Sequence, residues 1–321
     1  MKAVVLGASG HIGTYLIPML EDAGYDVVTI TRGQAKPYEW NPAWGKVSQV
    51  IMDRGKEPDF EGKIAAMNPD IVVDLINFKL EDTKAMVQAL KDTNCIHYLF
   101  CSSCWAHGRA AMLPFDPDDL KKEPLDEYGK NKFASELYLK DLYCREKFPA
   151  TIIMPGQISG PGWTIMNPWA NKTVRPFQMI ANGEEIKLPN FGMETLHHVH
   201  GYDVAQCFFK AITHRNQALG ETFDAASGGS ITLYGYAELM YEFFGQEPKI
   251  GFLPWEEWCR YVGDQKECED SYYHMARSGF YSIAKEEKLL EYHPKYTNVE
   301  TIKIAVQNYV DRGLIKTKMS K

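Results

Sequence analysis

The stretch Lys-Ala-Val-Val-Leu-Gly-Ala-Ser-Gly-His-Ile-Gly at residues 2–13 decides the fold that the sequence predicts. An apolar run ends at Leu6, glycines follow at three-residue intervals, and apolar residues then recur at helical spacing to about Ala23. Glycines in such a strand–turn–helix unit permit a tight turn and let the backbone approach a pyrophosphate at the helix N-terminus. We therefore predict a dinucleotide-binding turn, with a plain strand–helix turn as the alternative. The residues of the predicted site are Gly7, Ser9, Gly10, His11, Ile12 and Gly13.

Apolar runs alternate with helical segments as far as residue 101. Strands are predicted at 2–6, 26–31, 47–52, 71–76 and 97–101. Near-continuous apolar strands separated by helices are typical of a parallel sheet that is covered on both faces. Connections of this kind wind right-handed. We predict an α/β fold with a Rossmann-type, doubly wound parallel sheet, whose binding residues lie at the carboxyl ends of the strands.

The end of the second predicted strand indicates which dinucleotide would bind. A cofactor with a free ribose 2′-hydroxyl usually meets an acidic side chain there, whereas this chain has Thr31 and Arg32. An arginine suits a 2′-phosphate, so NADP is favoured and NAD stays possible; Arg32 would fit a solvated loop equally well. Asp53, after the third strand, is a candidate partner for the adenine or else a capping or surface residue.

Tyr128 and Lys132 form a candidate catalytic pair. They stand four residues apart in a predicted helix at 126–148, so they share one helix face. A phenol titrates near ~10, and an ammonium one turn away is expected to lower the pKa of Tyr128 and make it a usable general acid or base. Ser103, after an apolar run, offers a hydroxyl partner. Tyrosine and lysine are also common on solvated helices, so the pair gains weight only from the rest of the chain.

Composition limits the classes of function. The chain has 321 residues, of which 45% are hydrophobic and 24% charged, as in an ordinary globular protein. The formal net charge of −7 argues against a general nucleic-acid or membrane-surface binder, and no run approaches the ~18 apolar residues of a membrane span. The seven cysteines are scattered and odd in number, which favours reduced thiols and a cytoplasmic location.

Five motifs resemble, in order, those of the extended short-chain dehydrogenase/reductase superfamily, the group of NAD-dependent epimerases and dehydratases. They are the glycine run at 7–13, the serines at 102–103 before Gly108, the Tyr128–Lys132 pair, the segment from Pro155 to Gly162, and His-Val-His-Gly-Tyr-Asp-Val-Ala at 198–205. The resemblance covers most of the chain. It implies an NAD(P)-dependent epimerase or dehydrogenase/reductase that moves a hydride at a secondary alcohol or ketone of a sugar-like or other small substrate.

The resemblance also implies roles for single residues. Ser103 would hold the reacting oxygen, Tyr128 would give or take the proton, and Lys132 would lower the tyrosine pKa and bind the nicotinamide ribose. Pro155 would border the nicotinamide, and Asn77 would line the cofactor. The residues implied to contact the substrate are Ser103, His107, Gln157 and His198.

Departures from the family pattern concern the substrate. Dehydratases of the family carry an Asp-Glu pair after the serine position, where this chain has Cys104 and Trp105. Classical UDP-sugar epimerases have a diphosphate-binding arginine seven residues before the aspartate at position 203, where this chain has Leu196. Dehydration and a standard nucleotide-sugar substrate are therefore disfavoured. Other arginines available for a phosphate contact are Arg175, Arg260 and Arg277.

The predicted organisation has two parts. Residues 1–160, joined by 201–230, form the dinucleotide-binding domain, and residues 161–200 and 231–321 form a smaller, mostly helical substrate domain. No metal site is predicted, because the histidines at 197, 198 and 200 have no carboxylate or cysteine at ligand spacing. The expected partners are a small-molecule substrate and a second copy of the chain, with no nucleic acid and no membrane. Two alternatives remain: a dinucleotide-dependent binding or regulatory protein, related to RNA-associated members, and a UDP-sugar 4-epimerase.

Overall fold

The computed structural model describes residues 1–317, so residues 318–321, at the end of the predicted substrate domain, lie outside the described residues. The strands, in chain order, are β1 (Lys2–Leu6), β2 (Asp26–Thr31), β3 (Ser48–Ile51), β4 (Ile71–Asp74), β5 (His97–Cys101), β6 (Ala150–Pro155), β7 (Gln157–Ser159), β8 (Ile186–Pro189), β9 (Thr195–Leu196), β10 (His198–His200), β11 (Thr222–Ala225), β12 (Ile231–Thr232) and β13 (Ile250–Leu253).

The helices differ widely in length, and the longest carries the Tyr128–Lys132 pair. In chain order they are α1 (His11–Asp22), α2 (Phe60–Ala66), α3 (Leu80–Leu90), α4 (Glu127–Glu146), α5 (Arg175–Ala181), α6 (Gly201–Thr213), α7 (Arg215–Ala218), α8 (Leu233–Phe243), α9 (Trp255–Val262), α10 (Gln265–Met275), α11 (Ala284–Leu290) and α12 (Asn298–Asp311). Short 3₁₀ turns occupy Pro42–Gly45 and Cys104–Ala106. Across residues 1–317, none of the helices combines the length and the apolar character needed to cross a bilayer.

A seven-stranded parallel sheet forms the centre of the molecule, in the order β11-β6-β5-β4-β1-β2-β3. The order reverses at β1, where β2 lies on one side and β4 on the other. Two βαβ series that start from a shared central strand give this arrangement, and ligands bind where the order reverses. The predicted Rossmann-type, doubly wound parallel sheet is confirmed.

Apolar residues of the sheet face two separate cores because successive side chains of a strand point to opposite faces. In β1, Val5 packs with Leu16 of α1 and Phe208 of α6, whereas Val4 packs on the opposite face with Met86 of α3 and Leu139 of α4. Both faces of the sheet are thus covered by helices, which explains why its strands are apolar without alternation.

A third core lies outside the sheet. It is built around Trp169, Phe177, Tyr236 and Trp258, all fully buried. Its members fall within residues 165–196 and 233–315, inside the ranges predicted for the substrate domain. Three two-stranded pairs accompany this region: β7 with β10, β8 with β13, and β9 with β12. The exact domain division remains a prediction.

Candidate active site

The glycine turn joins β1 to α1. Gly7 has φ +78°, a conformation that glycine adopts without strain, and its carbonyl accepts a hydrogen bond from the Gly10 amide at 3.0 Å. Gly10 is the N-cap of α1. A Cβ on Gly13 would lie 1.9 Å from the Ala8 carbonyl oxygen, so only glycine lets the helix approach the turn this closely. The backbone is therefore free to face a bound pyrophosphate.

A cleft at the carboxyl end of the sheet gathers many of the predicted residues. Its lining includes Gly7, Gly10, His11, Ile12, Ser103, Tyr128, Lys132 and Pro155. Trp163, which is not among the residues of the predicted site, also lines the cleft and stacks on the His11 ring at a centroid distance of 5.1 Å. The cleft thus runs from the glycine turn to the Tyr128–Lys132 pair. Ser9 and Gly13 belong to the same turn without lining the cleft.

Ser103, Tyr128 and Lys132 meet in this cleft from two directions. Ser103 follows β5 and is 9% exposed, while Tyr128 and Lys132 lie on the first turns of α4 and are 40% and 2% exposed. The Asp126 carboxylate caps α4 by accepting a hydrogen bond from the Gly129 amide at 2.7 Å. The cap fixes where the helix starts and therefore which turn faces Ser103.

The pKa of Tyr128 moves opposite to the direction predicted from the sequence. Burial of the phenol raises the pKa above its ordinary value, with Cys101 acting in the same direction, and a hydrogen bond with Ser103 only partly opposes them. The residue as a whole is 40% exposed, while its hydroxyl is hydrogen-bonded with Ser103. Tyr128 is therefore protonated at neutral pH and poised to donate a proton.

Two backbone carbonyls, near the carboxyl ends of β4 and β5, hold the Lys132 ammonium in place. Its Nζ donates to the carbonyl oxygens of Asn77 at 2.5 Å and of Cys101 at 2.6 Å, and lies 5.5 Å from the centroid of the Tyr128 ring. Burial lowers the pKa of Lys132. Two carbonyls occupy two of the three ammonium protons, so one N–H remains to act in the cleft.

Asn77 is buried beside Lys132. Its side chain is fully buried, donates to Asp74 at 3.1 Å and to Tyr98 at 3.2 Å, and accepts a hydrogen bond from Thr83 at 3.0 Å. The side-chain amide of Asn77 thus makes its hydrogen bonds inside the sheet domain. The backbone carbonyl of Asn77 contacts Lys132, which lines the cleft. The contact of Asn77 with a cofactor stays a prediction.

The residues predicted to select the dinucleotide lie at the neighbouring strand ends. Thr31 ends β2, Arg32 is exposed beyond it, and the Met52 amide donates to the Thr31 carbonyl at 2.9 Å, which places Asp53 at the same edge. Asp53 accepts a hydrogen bond from the Gly55 amide at 3.1 Å. These three residues are outside the lining of the cleft itself.

A second pocket lies beyond Ser103, between the sheet and the substrate region. Gln157, predicted to contact substrate, lines it. The other residues that line this pocket include Cys104, Trp105, His197, His274, Arg277 and Tyr281; the sequence analysis named Arg277 as one of three arginines available for a phosphate contact. Cys104 and Trp105 follow Ser103 directly, so their position in its loop was a usable signal. The other residues come from segments far apart in the sequence, and no sequence motif relates them: His197, His274, Arg277 and Tyr281.

His107 and His198, which were predicted to contact substrate, line neither of these two pockets. His107 is 4% exposed and stacks on Phe115 at a centroid distance of 4.4 Å. His198 is fully buried, with its ring edge-on to Tyr236 at 5.5 Å. Burial lowers their pKa values to about 3 and about 4. Both are interior residues, and the neighbouring His197 is the one that reaches the pocket.

Of the three arginines considered for a phosphate contact, Arg277 alone lines this second pocket among the described residues. Arg175 donates to the Val262 carbonyl at 2.7 Å and lies over the Trp169 ring. Arg260 lines a groove between α9 and α10. Within residues 1–317, no group of three or more His, Cys, Asp or Glu side chains is placed to hold a metal ion.

Comparison with known proteins adds a family match. Residues 3–226 match the model of the NAD dependent epimerase/dehydratase family. Among curated proteins, the chain is 24% identical over 260 residues to the chloroplast stem-loop binding protein of 41 kDa b of Arabidopsis thaliana, covering 78% of this chain and 65% of that protein. It is also 24% identical over 268 residues to an NADH dehydrogenase alpha subcomplex subunit 9 of the same plant, covering 78% and 60%. The matched region thus spans less than two thirds of either relative.

Solved structures share the fold. The UDP-glucuronic acid 4-epimerase of Bacillus cereus, in complex with UDP-glucuronic acid and NAD, superposes with a TM-score of 0.73 over 97% of this chain and 100% of that chain. The identity between the two sequences is 16%. At this identity the likeness establishes the architecture and leaves the substrate open.

Proposed function

This chain belongs to the NAD dependent epimerase/dehydratase family, and we propose that it is an NAD(P)-dependent epimerase or oxidoreductase that uses Ser103, Tyr128 and Lys132. The substrate would be a secondary alcohol or ketone on a sugar-like or other small molecule. One observation carries the proposal: a single cleft runs from the glycine turn to the Tyr128–Lys132 pair and opens beside Ser103.

The residues fit a dinucleotide. The close contact at Gly13 and the positive φ of Gly7 leave the turn free of side chains, so backbone amides can meet a pyrophosphate. Pro155 and Lys132 line the far end of the cleft, where a nicotinamide and its ribose would lie. When bound, the nicotinamide supplies hydride transfer to and from carbon.

Ser103, Tyr128 and Lys132 each have a separate role in the reaction. In reduction, Tyr128 donates its hydroxyl proton to the oxygen of the ketone while Ser103 holds that oxygen by a hydrogen bond. Lys132 stabilises the phenolate that forms, because its buried ammonium lies 5.5 Å from the centroid of the Tyr128 ring. In oxidation the same groups run in reverse, and Tyr128 takes the proton of the hydroxyl. An epimerase would perform both steps in succession.

NADP is the proposed cofactor, with NAD as the alternative. Arg32 is exposed at the end of β2, and no acidic side chain follows it before Glu39. We expect NADPH to bind about tenfold more tightly than NADH, because one charge-assisted contact to a phosphate is worth roughly 1.4 kcal/mol. Titration of the purified protein, followed by nicotinamide fluorescence, measures both affinities.

The matched control is Arg312→Ala, which removes an exposed arginine next to α12. Arg32→Ala should abolish the NADPH preference, and Arg312→Ala should retain it. Equal affinities in the wild type would assign the protein to both cofactors. Failure to bind either nucleotide would reject the proposed function.

Tyr128→Phe tests the catalytic assignment. The variant keeps the ring that lines the cleft and loses the proton that it transfers, so turnover should fall by ~10²–10⁴ while cofactor affinity stays nearly unchanged. The measurement pairs a carbonyl and sugar substrate screen with the fluorescence titration. Retained turnover in this variant would show that another group transfers the proton.

A second candidate function is a dinucleotide-dependent binding protein. The relative named as a stem-loop binding protein favours it, while the net charge of −7 opposes binding to RNA. Absence of turnover with intact dinucleotide binding would favour this candidate. A UDP-sugar 4-epimerase is weaker still, because Leu196 lines the second pocket where the family pattern has an arginine.

A further inference from the structure

Asp126 connects the helix of Tyr128 to the second pocket, beyond Ser103. Its Oδ1 accepts a hydrogen bond from the Gly129 amide at 2.7 Å and caps α4. Its Oδ2 accepts a hydrogen bond from Nη2 of Arg277 at 2.8 Å. Arg277 follows α10 and lines the pocket. One carboxylate therefore joins the first turn of the catalytic helix to the opposite wall of the pocket.

The Trp105 ring contacts both Arg277 and Tyr128. The Arg277 guanidinium carbon sits 3.6 Å from the centroid of the Trp105 ring, and the ring meets Tyr128 edge-on at 6.4 Å. The Trp105 carbonyl also packs against Gly129, where a Cβ would lie 2.5 Å away. Because Trp105 stands two residues after Ser103, Arg277 contacts both the serine loop and the tyrosine helix.

These contacts are shielded from water. The side chains of Arg277 and Asp126 are 6% and 21% exposed, and among the described residues Asp126 is the only acidic side chain paired with Arg277. Breaking a pair that is this buried leaves an uncompensated charge, which is costlier than losing a surface ion pair. The pairing is therefore strong enough to hold a helix terminus in place.

We propose that Arg277, Trp105 and Asp126 form a latch that sets the Tyr128 hydroxyl against Ser103 from the substrate side of the molecule. Arg277 and Asp126 are then positioning residues that act through Tyr128. The latch rests on the proposed function, since it serves the same Ser103–Tyr128 pair. It explains why an arginine of the substrate region is buried against the catalytic helix.

Hydrogen exchange of the backbone amides at 127–132 tests the latch without a substrate. Arg277→Met keeps the length and apolar stem of the side chain and removes the charge, so these amides should exchange about tenfold faster than in the wild type. Arg175→Met is the matched control. Arg175 also lies over a tryptophan and donates to a carbonyl, but it does not contact α4, and its loss should leave exchange at 127–132 unchanged.

Asp126→Asn separates the latch from the helix cap. Asparagine caps a helix as well as aspartate does, so this variant keeps the bond to Gly129 and loses the ion pair. We expect faster exchange at 127–132, a kcat reduced about tenfold or more, and unchanged dinucleotide affinity, because misplacement by ~1 Å can cost 10²-fold in rate.

Arg277→Lys should recover part of the rate that Arg277→Met loses, because it restores the charge without the planar stack on Trp105.

Three results would overturn the latch: unchanged exchange at 127–132 in both Arg277→Met and Asp126→Asn, faster exchange spread evenly over the chain, or faster local exchange with an unaltered kcat. Should Arg277→Met fail to fold, Asp126→Asn alone decides. Failure of the wild type to bind NADPH and NADH would reject the proposed function and leave the exchange result standing.

Discussion

At the scale of single residues, the site depends on contacts that leave no room for a methyl group. Gly13 lies against the Ala8 carbonyl and Gly129 against the Trp105 carbonyl, so two glycines set how close α1 and α4 come to the loops they serve. The sequence identified Gly13 because a known spacing of glycines surrounds it. It gave no reason to single out Gly129, since the atom that requires a glycine there belongs to a loop 24 residues away.

Gly129→Ala is therefore expected to damage the site. Alanine normally stabilises an exposed helix position by about 0.5–1 kcal/mol over glycine, but here the methyl group would push the Trp105 backbone away from α4 and separate Ser103 from Tyr128. We expect a lower melting temperature and a turnover that falls by about 10²-fold. Thermal unfolding and the activity assay measure these effects.

Gly45→Ala is the control, because a Cβ there meets no atom within 4 Å and the backbone φ is not positive. It should leave both quantities close to wild type. A Gly129→Ala protein with normal melting temperature and turnover would show that the serine loop tolerates displacement.

At the scale of helices and strands, the sequence predicted what parallel topology determines. Strand ends meet at one edge of a doubly wound sheet, and the structure accordingly gathers Gly7, Ser103 and Pro155 into one cleft. The chemistry of the Tyr128–Lys132 pair was less predictable. Helical spacing gives the shared face, but the direction of the tyrosine pKa follows from burial, which a spacing does not contain.

The second pocket, beyond Ser103, could not be predicted from the sequence for a related reason. His197 lies between β9 and β10, and Arg277 lies after α10, so tertiary packing alone brings them together. His197 lines the pocket, whereas His198, the residue predicted to contact substrate, is buried one position further along the chain. A shift of one position moves a side chain from the pocket to the core, because neighbouring side chains of an extended chain point to opposite sides.

At the scale of the whole molecule, buried titratable groups dominate the dependence of stability on pH. Burial lowers the pKa values of seven histidines to about 3 or 4: His11, His97, His107, His197, His198, His200 and His274. Burial also raises the pKa of Asp203 to about 6 and the pKa values of Asp224 and Glu286 to about 8. The two sets of groups act in opposite directions.

The free energy of unfolding is expected to peak near pH 7. Between about pH 4 and 6.5 the unfolded chain binds protons on these histidines while the folded chain does not, so stability falls as the pH drops, by up to about 1.4 kcal/mol per pH unit for each histidine. The three carboxyls oppose this slope, since the folded chain keeps their protons while the unfolded chain loses them from about pH 4 upward. At pH 6.5 the unfolded chain still binds about half a proton on each histidine, so the seven histidines outweigh the carboxyls until about pH 7. Above about pH 7 the carboxyls lower stability until about pH 8.

Urea unfolding at half-unit steps from pH 5 to 8.5 measures this profile. Two variants test which groups cause the fall in stability on the acid side and on the alkaline side. His97→Gln removes a histidine that lies in β5 away from both pockets and contacts Thr151, so the acid limb should become shallower by about one proton. Asp224→Asn should flatten the alkaline limb in the same way. A profile that rises steadily from pH 6.5 to 8 would mean that Asp224 and Glu286 are ionised in the folded protein, and that the interior around them holds charge.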